Sequence, residues 1–292
     1  MSIINQISIR SVMNEDLSEV FPMIDKENWD WTLPEIEQLF TLNQEHSVVA
    51  VLSNKIIGLL FALKKGRFAS WTHFIVKDEF RGQGIGTILM NHVFDDLKKA
   101  GVNIVDIIAV NKFVPLYKKA GFEVLEDLQL YSKNNTRSVS KSQNNGVEHC
   151  RIVNLKELEE TGALLELEKQ TGCNLDEFEG KSVFGTLSPV IGFYKESKLE
   201  GILYTHVSAY GVDIGPWVIQ DINIEKVKMM LHFAENLFKQ KVISLSVSSK
   251  NSIITNLVIA EGFDYVEKMT HMVLGGGLKS TYSKALVSVG KF

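Results

Sequence analysis

Two stretches of this chain, NIVDIIAVNKFVPLYKKAGFEVLE and KVISLSVSSKNSIITNLVIAEGFDYVE, can be laid over each other at an offset of about 140 residues. Each reads as an apolar strand, a helix, a glycine and a phenylalanine that opens another strand. A glycine C-cap before a strand is common in any α/β protein. Here the element order on either side of it is matched as well, so the 292 residues are read as an internal duplication. At roughly 100–200 residues per domain the length agrees, and each half is large enough to bury its own core.

Between the halves, YSKNNTRSVSKSQNNGVE (residues 131–148) holds four serines and four asparagines and almost no aliphatic side chains, the composition of a linker. The expected domains are therefore 1–130 and 149–292. In the first half, ISIRSV, HSVVAVL, KIIGLLFAL, SWTHFIV, NIVDIIAV and FEVLEDLQLYS read as strands, with helices near 14–25, 34–44, 84–100 and 113–120. In the second, strands alternate with helices near 154–170, 222–239 and 251–261. Both halves are thus α/β (α+β).

The net charge of −4 divides as −4 for 1–130 (13 basic, 17 acidic), +2 for 131–148 and −2 for 149–292 (15 basic, 17 acidic). Neither half is basic enough to follow a phosphate backbone, so nucleic acid is not an expected partner. No run approaches the ~18 apolar residues of a membrane span, and the first residues lack a secretory layout. Cys150 and Cys173 form neither a CxxC pair nor part of a histidine cluster, so no metal site is expected and the thiols are expected to stay reduced. These features point to the cytoplasm.

The halves differ at residues 71–87, WTHFIVKDEFRGQGIGT, where a strand passes through a charged turn into glycines at 82, 84 and 86 and then a strong helix. Backbone without Cβ atoms, followed by the free N–H groups and positive dipole end of a helix, suits a pyrophosphate. Arg81 stands at the mouth of the loop with a charge to add. A tight turn whose glycines serve geometry alone remains the other reading. The stretch lacks the lysine of a P-loop and has Thr87 at the third glycine position of a dinucleotide fingerprint.

Arg81-Gly82-Gln83-Gly84-Ile85-Gly86 does match [QR]xxGx[GA], and here the sequence resembles the GNAT superfamily of acyl-CoA-dependent N-acetyltransferases. Val76 to Gly82 is similar to the end of that family's fourth strand, and Asn111 with Leu116-Tyr117-Lys118-Lys119-Ala120-Gly121-Phe122 to its last helix. The whole chain resembles a tandem subgroup: an active first domain and a degenerate second, each a mixed, largely antiparallel twisted sheet flanked by helices. In the second copy the matching position reads Val218-Ile219-Gln220-Asp221-Ile222-Asn223-Ile224-Glu225, without glycine, and Asp221 is expected to cap the helix there. One acyl-CoA site per chain is expected.

The resemblance implies acetyl-CoA (coenzyme A) as cofactor. It implies that strand four splays from strand five, so that pantetheine meets the backbone of Phe74, Ile75 and Val76 while the diphosphate meets Arg81, Gly82, Gln83, Gly84, Ile85, Gly86 and Thr87. Tyr117 falls at the general-acid position; a packed helix-face aromatic is its other reading. Asn111 either binds the pantetheine amide or caps the next helix. His73, on strand four, is a candidate base or a structural histidine. Glu27, Trp29, Asp30 and Trp31 lie where the family builds its acceptor wall, and indoles interleaved with carboxylates suit a cationic or aromatic amine; an amphipathic turn with core tryptophans is the other reading. The function implied is acetyl transfer to a primary amine by direct attack in a ternary complex. The alternatives are a non-catalytic acyl-CoA-binding or regulatory module and a peptide-directed transferase with an extended groove. The sequence leaves a small-molecule or a peptide amine open as acceptor, and a homodimer open as the assembly.

Overall fold

The computed structural model describes residues 3–29, 31–135, 147–171, 188–275 and 286–288. The chain divides into two compact units, Met1–Val124 with His271–Leu278, and Leu125–Thr270 with Lys279–Phe292. This division differs from a cut at 131–148, because each unit takes its last strand from the other half of the sequence.

In the first unit the strands are β1 (Ser8–Ser11), β2 (Val48–Leu52), β3 (Lys55–Lys65), β4 (Phe68–Val76) and β5 (Ile104–Val110), with the end of β12 (Asp264–Leu274) beside β5. β1 to β4 pair antiparallel, and β4 pairs with β5 in parallel. The helices are α1 (Leu17–Asp25), α2 (Leu33–Asn43), α3 (Ile85–Lys99) and α4 (Val114–Lys119). In α3 the buried Ile85, Leu89, Met90, Val93 and Leu97 recur at helical spacing and pack on Ala69, Trp71, Val105 and Ile107 of the sheet. The helix stops at Gly101, whose φ of 82° few other residues adopt.

The second unit orders its sheet β6 (Glu123–Asn134), β11 (Val242–Ser248), β10 (Gly211–Ile219), β9 (Lys198–Val207), β8 (Val190–Lys195) and β7 (Cys150–Val153), with β13 (Leu286–Ser288) also on β10. Its helices are α5 (Leu155–Glu160), α6 (Ala163–Thr171), α7 (Ile224–Leu237) and α8 (Ser252–Ala260). Residues 131–134, expected in the linker, complete β6, and Tyr131 is core. The polar side chains that read as linker are satisfied in place: Lys133 pairs with Glu235, and Asn135 donates to the Glu235 and Phe238 carbonyls. Residues 136–146 and Cys173 lie outside the described residues. No described helix is long and apolar enough to cross a membrane.

The duplication is visible in the register. Between the pairs Ala62↔Trp71 and Leu60↔Phe74, β4 advances three residues while β3 advances two, so β4 carries a bulge at Thr72-His73. Between Thr205↔Ile214 and Leu203↔Trp217, β10 advances three while β9 advances two, which puts the same bulge at Gly215-Pro216. Both helix–glycine–phenylalanine closures also form alike. Phe122 N donates to Tyr117 O and Phe263 N to Val258 O, each at 3.0 Å, after glycines at φ 94° and 85°.

Candidate active site

The bulge in β4 decides what faces where. An unbroken strand would alternate Trp71 and His73 on one face and Phe74 on the other. With one extra residue inserted, Ala69, Trp71, Phe74 and Val76 all join the core on the α3 side, while His73 turns to the α1–α2 side. Phe74 and Val76 thereby reach a cavity of about 340 Å³ whose floor is the glycine loop and whose far wall is α4.

That loop presents bare backbone. Gly82 and Gly84 have φ of 75° and 84°, and Gly84 is the N-cap of α3 with no side chain capping it. The first turn of α3 holds no acidic residue, so its leading N–H groups keep their positive end for a ligand. At Gly86 a Cβ would come within 3.1 Å of Phe74 Cζ and press on that ring. In the second unit, Asn223 accepts from Glu225 N at 2.8 Å and closes the start of α7, with Glu225 in the first turn. The cap is Asn223 rather than the expected Asp221, which sits at φ 52° in the preceding turn. Asn223 thus takes one of the leading N–H groups of α7 for the chain's own side chain.

Of the residues expected at the cofactor, the structure brings Phe74, Val76, Arg81, Gly82, Gly84, Ile85, Gly86, Thr87 and Tyr117 to this one cavity. The other three are not among the residues that line it. Ile75 alternates to the opposite face and lines a second cleft under α1. Gln83 is exposed and donates to the Glu79 carbonyl at 3.2 Å. Asn111 opens an exposed 3-10 turn ahead of α4, whose N-cap is Phe113. Phe80, Phe113 and Leu116 line the cavity unforeseen; their only sequence signal is nearness to the glycine loop and Tyr117.

Tyr117 is partly buried against Phe74 and Phe122, with ring centroids at 6.3 and 5.7 Å, and desolvation pushes its phenol upward in pKa. It enters the cavity as a protonated group. Glu27 and Trp29 also line the cavity, whereas Trp31 is only 5% exposed and packs edge-on to His73 at 4.8 Å. Asp30 lies outside the described residues.

The expectation of His73 as base requires correction. Its side chain is 1% exposed, enclosed by Trp29, Trp31 and Phe61, and absent from the cavity wall. Desolvation lowers its pKa to about 3, so the ring stays neutral, and Nδ1 lies 2.9 Å from Thr72 Oγ1. The bulge that aims Phe74 at the cavity is what turns His73 away from it. Among the described residues there is no cluster of side chains suited to a metal ion.

Residues 19–136 match the model of the acetyltransferase (GNAT) domain family. A search of curated protein sequences returns no match. Among solved structures, the chain is similar to a Pyrococcus horikoshii protein provisionally assigned as an acetyltransferase (16% identity, 97% of this chain and 94% of that one, TM-score 0.75). It is also similar to a GCN5-related N-acetyltransferase of Sphaerobacter thermophilus (13%, 95% and 98%, 0.66). A third is a tandem GNAT protein from the clavulanic acid biosynthesis pathway (12%, 94% and 100%, 0.65). At these identities the likeness is one of fold, and it runs nearly end to end. Residues 19–136 thus match the GNAT acetyltransferase domain family, and the chain has the fold of a tandem GNAT protein.

Proposed function

We propose that the first unit transfers an acetyl group from acetyl-CoA to a primary amine by direct attack in a ternary complex, and that the second unit binds no acyl-CoA. The observation that carries this reading is the uncapped, glycine-lined start of α3 opening on the cavity that Tyr117 also lines.

The residues present fit the carrier. The backbone N–H groups of 82–87 suit a diphosphate, and the apolar flanks of Phe74, Val76 and Leu116 suit a pantetheine arm. When bound, coenzyme A supplies the acetyl group as an activated thioester. The backbone of β4 beyond its bulge, parted from β5, offers strand-like N–H groups that can steady a developing oxyanion. Tyr117 holds a proton for a departing thiolate. The acceptor's proton then passes to water. The reading includes a cytoplasmic location, in which the buried Cys150 stays a thiol.

Isothermal titration with acetyl-CoA is expected to give one site per chain. A panel of n-butylamine, tyramine, spermidine, glucosamine and lysine amide, followed by release of free thiol, is expected to show saturable turnover with at least one member. Binding without turnover of any amine would mark a non-catalytic acyl-CoA module, and absence of binding would end the proposal.

A further inference from the structure

Where β4 and β5 part, one carboxylate stands on the face of the sheet opposite α3. The parallel ladder between these strands is three pairs long and ends at Ser70↔Asp106. Ser70 Oγ donates to Asp106 Oδ1, and His271 Nε2 on β12 lies 3.0 Å from Asp106 Oδ2. A carboxylate only accepts, so this ring nitrogen carries the hydrogen. The strands on either side thus each hold one oxygen of the same carboxylate.

Their neighbours fix the face. Ala69, Val105, Ile107 and Met272, each adjacent in sequence to a member of the trio, pack in the core on the α3 side. Alternation turns Ser70, Asp106 and His271 the other way. That is the face on which His73 packs against Trp29 and Trp31.

A carboxylate offers about four lone-pair sites, and two are used here. The Asp106 side chain keeps 28% of its exposure, whereas that of His271 keeps 8%. The second unit supplies an internal comparison at its own parallel step. There Asp213 pairs with Ser244, Ser244 Oγ donates to Asp213 Oδ1, and His206 Nδ1 lies 3.8 Å from Asp213 Oδ2. That rung is sealed, with His206 and Asp213 side chains 6% and 8% exposed. The same three residue types form a buried rung where no glycine loop accompanies them, and an open one where the loop is present.

Resting on the acetyl-transfer reading, we propose that Asp106 anchors the ammonium group of the acceptor, which makes the acceptor class a cationic aliphatic amine. The remaining lone pairs of Asp106 meet the arriving ammonium in a charge-assisted hydrogen bond; that nitrogen gives up one proton to water before it attacks the thioester, and Asp106 then accepts a hydrogen bond from the neutral amine. Ser70 and His271 are positioning residues that hold the carboxylate in one rotamer. The carrier occupies the α3 side of the fork and the amine arrives from the other, so neither has to pass the other.

The test uses the full chain and the fastest amine of the panel above. Asp106→Asn, which keeps the shape, is expected to raise the amine KM at least 30-fold while the acetyl-CoA Kd stays within twofold. Ser70→Ala, which leaves the carboxylate but loosens it, is expected to raise the same KM three- to tenfold and serves if Asp106→Asn folds poorly. Asp213→Asn is expected to lower the melting temperature and leave the amine KM unchanged. An amine KM within threefold of the parent for Asp106→Asn, or a rise matched by an equal loss of acetyl-CoA affinity, overturns the assignment. If the parent turns over no amine, the acetyl-transfer reading fails and takes this inference with it; if the parent is active and Asp106→Asn equally so, this inference alone fails.

Discussion

Arg81 Nη2 lies 2.9 Å from Glu27 Oε1 at the mouth of the cavity, joining the cation of the glycine loop to the carboxylate after α1. Its other nitrogens are also engaged, Nη1 with Asp78 at 2.6 Å and Nε with the Val76 carbonyl at 2.7 Å. An anion seated in the loop therefore competes with two carboxylates for one guanidinium.

Removing one competitor favours the anion. Glu27→Gln is expected to tighten acetyl-CoA binding by up to about fivefold, the scale of an exposed ion pair at ~1 kcal/mol. Titration calorimetry at two ionic strengths checks it, and the gain is expected to shrink in high salt. Unchanged or weaker binding would show that Arg81 does not serve the anion.

Gly84→Ala tests the loop backbone. At φ 84° an alanine is strained by about 1–2 kcal/mol, while its Cβ would meet only Ile4 Cδ1, at 3.4 Å. The melting temperature is expected to fall by roughly 2–8 °C, with weaker acetyl-CoA binding as the N–H groups of α3 shift. A variant that melts and binds as the parent does would place the ligand elsewhere.

His73 gives a pH signature. Its folded-state pKa of about 3 lies below the ordinary value near 6.5, so the unfolded chain binds the proton first. The stability this residue contributes is whole above pH 6.5 and is lost as pH falls toward 3, at up to about 1.4 kcal/mol per pH unit. His73→Phe is expected to flatten the loss of stability between pH 6.5 and 4.5 in denaturant titrations, with turnover retained within a fewfold. A variant that folds but has lost turnover would restore a catalytic role to the ring.

Tyr117→Phe removes the partly buried phenol and keeps its ring packing. Turnover is expected to drop by about 10²–10³-fold, within the range for a general acid, while acetyl-CoA affinity holds within about twofold, since the phenol contributes a proton rather than a grip. Stopped-flow release of free thiol measures the first and calorimetry the second. A parent-like rate would leave Tyr117 as packing.

The two repeated helix–glycine–phenylalanine closures were legible because they need only local chemistry: an αL glycine and a buried ring. The glycine loop was legible for the same reason. The facing of His73 and Ile75 was not, because a bulge depends on a mismatch between two strands far apart in sequence, and alternation read along one strand cannot register it. Nor was Asp106, which is one polar residue in an apolar strand until Ser70 and a histidine 165 positions away are placed beside it. The polar residues Ser132, Lys133 and Asn134 looked like linker because their partners lie about 100 residues on, on α7 and β11.

The exchange of last strands sets an order of completion. β5 has no neighbour on its outer side until His271–Leu274 are laid down, so the unit that begins first is completed only after the other half has been translated. A nascent or prematurely terminated chain that stops short of position 271 would leave a bare strand edge and lack the histidine that steadies Asp106. The first unit is thus complete only in chains that extend past β12.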